Sequence, residues 1–126
     1  MATNAAATYK DSKILTASPA DLTLMLYDGA IRFCNTALIS LEKMEYQKVS
    51  LNIIKAEKII QEFRCTLDFK YPVAKHFDLV YDYIYRRLID ANIKKDKEIL
   101  EEALGYIREM RDTWMEVMKN AKMAKI

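Results

Sequence analysis

The stretch that most constrains this chain is residues 18–44, SPADLTLMLYDGAIRFCNTALISLEKM, which carries the apolar spacing of one long helix. At about 100° per residue, and with Leu26 as the origin, Leu22, Ala30, Phe33, Ala37, Leu41 and Met44 gather on one side. Tyr27, Cys34, Leu38, Ile31 and Leu24 continue round from them. The result is an apolar arc of roughly 200°, about twice the stripe that an amphipathic surface helix presents. Both flanks of such a helix have to be covered by something. Its start is sharply marked: Ser18 can cap free backbone N–H groups, Pro19 fits the first helical position, and Asp21 suits the positive end of the dipole. Gly29 in the interior costs about 1 kcal/mol relative to alanine. It marks either a close backbone approach or nothing in particular.

Three further periodic segments follow. Tyr46, Val49, Ile53, Ala56, Ile60, Phe63 and Leu67 fall in a stripe of ordinary width. Leu51, Ile54 and Cys65 lie on the other side of that helix, either as scattered exposed residues or as a second partner surface. After a break at residues 68–72, with Pro72 placed at a helix start, Val73, Phe77, Val80, Ile84, Leu88 and Ala91 give the third helix a core face. Tyr81, Tyr85 and Ile89 widen it on one side as an aromatic shoulder, suited to a core edge or, through area plus a polar tip, to an interface. Asp96 is placed as the N-cap of the fourth helix, whose inward face is Leu100, Ala103, Leu104, Ile107, Met110, Trp114, Val117 and Met118. Arg111 falls within that face and is expected to snorkel or to pair with a carboxylate.

With two glycines and two prolines in 126 residues, the chain favours a few long elements over many short ones. The expected fold is therefore all-α, an antiparallel up-down four-helix bundle with an N-terminal capping segment. Each helix would have roughly 22 to 27 residues and span on the order of 35 Å. Residues 1–17 form the tether or cap, with Tyr9, Ile14 and Leu15 as its large apolar side chains; residues 18–120 form the bundle and residues 121–126 a basic tail.

Several chemistries find no support. The net charge of +2 is far from the excess expected of a nucleic-acid binder, and the cations Arg86, Arg87, Lys94 and Lys95 are interleaved with Asp78, Asp82 and Asp90. Cys34 and Cys65 match no zinc spacing and read as reduced thiols of a cytosolic protein. With a single histidine, His76, expected on the surface near the start of the third helix, neither a di-iron site nor a nucleophile with its base can be assembled. No glycine-rich phosphate loop, membrane span or signal sequence is present. The expectation is no enzyme, no metal, no cofactor and no membrane insertion.

Four segments carry a family resemblance: YKDSKILTASPADLTLMLYDGAIRF at residues 9–33, KAEKIIQEFRCTLD at 55–68, YDYIYRRLIDANIKKD at 81–96 and GYIREMRDTW at 105–114. In this order they resemble the FliS-type flagellin export chaperones over essentially the whole chain. Phe63 and the short connection at residues 68–72 are minor departures. The resemblance implies a helical bundle of the bacterial cytosol that binds the C-terminal segment of flagellin, prevents its premature polymerisation and helps deliver it to a component of the flagellar type III export gate. It also implies an N-terminal segment that lies over an apolar part of the bundle and gives way to the client. Tyr9 and Ile14 match the leading motif; Leu22, Met25, Leu26 and Gly29 match the helix 1 motif; Tyr81, Tyr85 and Leu88 match the helix 3 motif. These nine residues are the candidate partner contacts. In the free state a monomer or weak homodimer is expected. The competing reading is a structural or adaptor homodimer that buries the same apolar flank against itself.

Overall fold

Pro19 opens the first helix, and the sparse turn formers leave room for only three short connections before the last one ends. The computed structural model describes residues 19–124. Within them lie α1 (Pro19–Glu42), α2 (Tyr46–Cys65), α3 (Val73–Lys94) and α4 (Lys97–Ala124), of 24, 20, 22 and 28 residues. The leading segment with Tyr9, Ile14, Leu15 and Ser18 lies outside the described residues. At the other end α4 continues four residues into the stretch expected to be a separate tail, as an alanine- and lysine-rich sequence can.

The turns are explained by their backbone chemistry. α1 ends with Met44 in the left-handed region at φ 59°, where the amide of Glu45 reaches back to the Ser40 carbonyl at 2.9 Å. α3 ends in the same way, with Lys95 at φ 50° and the Asp96 amide on the Ala91 carbonyl at 3.2 Å. Both are left-handed C-terminal caps that satisfy otherwise orphaned carbonyls. Asp96 then caps α4 as expected, its carboxylate accepting the Ile99 amide at 3.1 Å.

Neighbouring helices meet in opposite order along their lengths. Tyr27 stacks on Phe63 and Lys55 lies over Phe33 between α1 and α2. Arg64 bonds Asp78 and Ser50 bonds Asn92 between α2 and α3. Tyr83 meets Tyr106 and Arg87 pairs with Glu102 between α3 and α4. The Trp114 indole donates to the Ala20 carbonyl, and Lys97 pairs with Glu42, between α1 and α4. This is an up-down-up-down bundle with α1 and α3 on a diagonal.

The core takes the middle of each predicted stripe. Val49, Ile53, Ala56, Ile60 and Phe63 of α2 are buried, as are Leu100, Ala103, Leu104, Ile107 and Met110 of α4. The stripe ends are not: Val73 is 51% exposed, and Tyr46 and Val117 are exposed as well. Periodicity marks a face but not where the neighbouring helices stop. Of the two readings of the aromatic shoulder, Tyr81 takes the core one: it is a core residue whose hydroxyl hydrogen-bonds that of Tyr27.

Candidate partner-binding surfaces

The wide arc of α1 is mostly covered from within. Tyr27, Ala30, Cys34 and Ala37 are buried, while Ile31, Phe33, Leu38 and Leu41 pack partly buried against the core. Burial pushes the Cys34 thiol up to about 12, which makes it an inert core residue. On the α2 side, Lys55 and Arg32 lie over the Phe33 ring at 5.4 and 5.7 Å from its centroid, close enough for cation–π attraction. On the α4 side, Arg111 pairs with Asp28, the carboxylate partner expected for it. A Cβ on Gly29 would meet Ile59 Cδ1 at 3.5 Å, an ordinary contact, so no tight backbone approach requires the glycine.

Apolar surface remains on the first turns of α1. Leu22 and Met25 are half-buried and Leu26 is 38% exposed. Their i, i+3, i+4 spacing places them along one helix side, next to the buried Gly29. Close to the same end of the bundle lies an apolar cavity of about 630 Å³ whose lining includes Thr23 of α1, Phe63 and Leu67 of α2 and its following loop, Phe77 and Tyr81 of α3, and Trp114 of α4. Tyr81 therefore touches Tyr27 on one side and the cavity on the other.

The nine sequence-derived contacts thus separate. Leu22, Met25 and Leu26 share one partly exposed side of α1, and Gly29 continues it into the buried contact with α2. Tyr81 lines the end cavity, whereas half-buried Tyr85 lines a different groove between α2 and α3. Leu88 is a correction: it is fully buried in the core and presents no surface to a partner. Its periodicity had already placed it on the inward face of α3, and packing decides in favour of that face. Tyr9 and Ile14 lie outside the described residues.

Other polar features hold the bundle together. Arg64 forks between Asp78 at 2.9 Å and Asp82 at 3.1 Å, and the hydrogen bond to Asp78 keeps its guanidinium firmly charged. Hence part of the mixed charge row of α3, expected to be solvated, serves as an interhelical clasp. Arg87 bridges Asp90 and Glu102, and Tyr83 also donates to Glu102. Among the described residues no group of three or more His, Cys, Asp or Glu side chains is arranged to hold a metal ion. No helix among them is long and apolar enough to cross a membrane.

The sequence model of the family described as "Flagellar protein FliS" matches residues 2–121. The chain belongs to the FliS family. It is 38% identical over 114 residues to the "Flagellar secretion chaperone FliS" of Bacillus subtilis (strain 168), covering 90% of this chain and 86% of the relative. Against the protein of the same description from Salmonella typhimurium it is 30% identical, covering 88% and 84%. A solved structure, "Crystal structure of flagellar chaperone from bacteria", superimposes with a TM-score of 0.73 over 95% of this chain and 99% of the other. At 17% identity that match speaks for a shared fold alone.

Proposed function

We propose that this FliS-family chain is a flagellar secretion chaperone of the bacterial cytosol that binds the C-terminal segment of flagellin, prevents its premature polymerisation and helps pass it to the export gate. The observation that carries the reading is the exposed start of α1, where Leu22, Met25 and Leu26 form an apolar strip close to the end cavity. A segment destined to polymerise is amphipathic. Seating its apolar face on this strip removes the surface through which it would meet other copies. Each large apolar side chain fully buried in this way contributes about 1.5–3 kcal/mol gross, less here because Leu22 and Met25 are already half-covered, and less again the cost of ordering a flexible client.

In this proposal the segment before Pro19, with Tyr9 and Ile14, covers the strip and the cavity in the free protein and yields to the client. Its support is positional: the described chain starts beside Thr23, which lines the cavity, and Ala20 is already held by Trp114. Tyr81 contributes to the cavity wall, Tyr85 belongs to a separate surface, and Leu88 is left out as a contact. The chemistry asked of the protein is binding alone, with no catalytic step.

Calorimetric titration of the full chain with a flagellin C-terminal peptide tests the reading. Saturable binding is expected, weakened at least about tenfold, or 1.4 kcal/mol, by Leu26→Glu. Because Leu26 is surface-exposed, that variant should keep its helical circular dichroism. No heat with the parent chain, or undiminished affinity in the folded variant, overturns the assignment. Deleting residues 1–15 should alter client affinity and raise binding of an apolar dye; unchanged values reject the cap. Light scattering separates this chaperone from a structural homodimer, which would bury the same strip without flagellin.

A further inference from the structure

α2 and α3 face each other through three rungs set seven residues apart on each helix. Ser50, Glu57 and Arg64 supply the α2 side, and Asn92, Tyr85 and Asp78 the α3 side. The outer rungs are closed. Ser50 donates to Asn92 at 2.9 Å, joined by the Lys95 ammonium at 2.7 Å from the Ser50 hydroxyl, while Arg64 holds Asp78 and Asp82.

The middle rung is open. Glu57 is half-buried and takes no hydrogen bond or ion pair among the described residues, and Tyr85 opposite does not bond it. Burial pushes its carboxyl above the usual carboxylate range. Its carboxylate oxygens still reach solvent, so the group stands ready for a cation that enters from outside.

The surroundings point to what would pair it. Glu57 and Tyr85 line a groove of about 310 Å³ whose other walls include Ile54, Glu62 and Cys65, with Ile54 41% exposed. Leu51, one turn earlier on α2, is also exposed. These are the residues whose off-stripe position left the sequence reading open between scattered exposure and a second surface. Nearby cations are committed: Arg64 to Asp78 and Asp82, Arg86 to Asp82, and Lys95 to Ser50 and Asn92. Lys58 is the one cation among the lining residues, and it is exposed. The groove therefore offers apolar walls and two carboxylates against one surface ammonium.

We infer that the α2/α3 groove is a docking site for a helical segment of a partner protein, one that seats a large apolar side chain against Ile54 and Tyr85 and delivers an arginine or lysine to Glu57. The cation closes the open rung as Arg64 closes its neighbour, and arginine fits best because its planar fork can bridge Glu57 and Glu62. This site is on the other side of α2 from the Leu22–Leu26 strip, and it stands whether or not that strip takes a client.

Cys65 supplies an internal reporter, because it is exposed at the groove while Cys34 is buried. The test uses the full chain, a helical peptide bearing leucine and arginine one turn apart, and a twin with glutamate in place of the arginine. The arginine peptide should bind at least tenfold more tightly than its twin and slow maleimide labelling of Cys65 at least tenfold at saturation. Glu57→Gln should erase most of the preference between the peptides. Since that substitution removes an unpaired charge from a half-buried position, its thermal midpoint should be unchanged or higher, which separates lost recognition from lost folding. Ile54→Glu should abolish binding of the arginine peptide. Absence of binding, unprotected Cys65 at saturation, or a peptide preference that persists in Glu57→Gln overturns the inference and leaves the flagellin titration unaffected.

Discussion

Tyr81→Phe should destabilise the bundle more than Tyr27→Phe, although each deletes one end of the same hydrogen bond. The two hydroxyls are bonded to each other inside the aromatic cluster that Phe63 completes, with ring centroids 4.3 Å from Tyr27 and 5.5 Å from Tyr81. Tyr27 is 1% exposed, whereas Tyr81 also lines the end cavity. Removing the Tyr81 hydroxyl strands that of Tyr27 in an apolar setting, at a cost of about 2–3 kcal/mol. Because Tyr81 lines the end cavity, the hydroxyl left by Tyr27→Phe should recover a water-mediated bond and hold the loss to about 1 kcal/mol. Replacing both removes donor and acceptor together and should cost no more than about 1 kcal/mol, giving a coupling of about 2 kcal/mol between the sites. Urea unfolding followed by circular dichroism, with an unchanged m value, measures all three differences. At about 4 °C per kcal/mol, the Tyr81→Phe midpoint should fall by about 8–12 °C. Additive single effects, or a larger loss for Tyr27→Phe, would refute the placement of the two hydroxyls.

The same pair sets an alkaline limit. Burial raises both phenol pKa values above the usual tyrosine range, so the stability carried by the neutral pair is complete below about pH 10 and lost as pH rises beyond it. The double phenylalanine variant should accordingly lose less stability than the parent between neutral pH and pH about 11 in the same urea assay. Gly29→Ala should raise stability by up to about 1 kcal/mol, since the added methyl meets Ile59 at ordinary contact distance; a measured loss would mean that α1 and α2 approach more closely than described. Met44→Gly should also stabilise, by up to about 1 kcal/mol in thermal unfolding, because Met44 is 72% exposed and holds a left-handed conformation that glycine adopts without strain.

Much of the bundle was legible because helical burial is periodic. Val49, Ile53, Ala56 and Ile60 recur at three- and four-residue spacing, and each is fully buried. Pro72 and Asp96 likewise marked helix starts through local backbone chemistry, which needs no distant partner. Stripe ends were less legible: Tyr46, Val73 and Val117 share the angular position of core residues but extend beyond the cover of their neighbours. The candidate site followed the same division. Leu22 and Leu26 were legible from the breadth of the apolar arc and Met25 from the family motif alone, whereas Tyr81 and Leu88, taken from the same family resemblance, turned inward. Glu57 had only a faint signal, its seven-residue spacing from Ser50 and Arg64, and that spacing has no meaning until the helix opposite is known.

The sequence by itself determined the number of helices, their inward faces and their directions, because apolar period, caps and short connections are properties of neighbouring residues along the chain. Only the tertiary structure decided the register between them. It showed that most of the broad apolar arc of α1 is covered by α2 and α4, that Tyr27 and Tyr81 satisfy each other, and that Glu57 faces Tyr85 without a partner. Those outcomes depend on which side chains from distant segments arrive within hydrogen-bonding or packing distance, and that is fixed when the four helices assemble around one core.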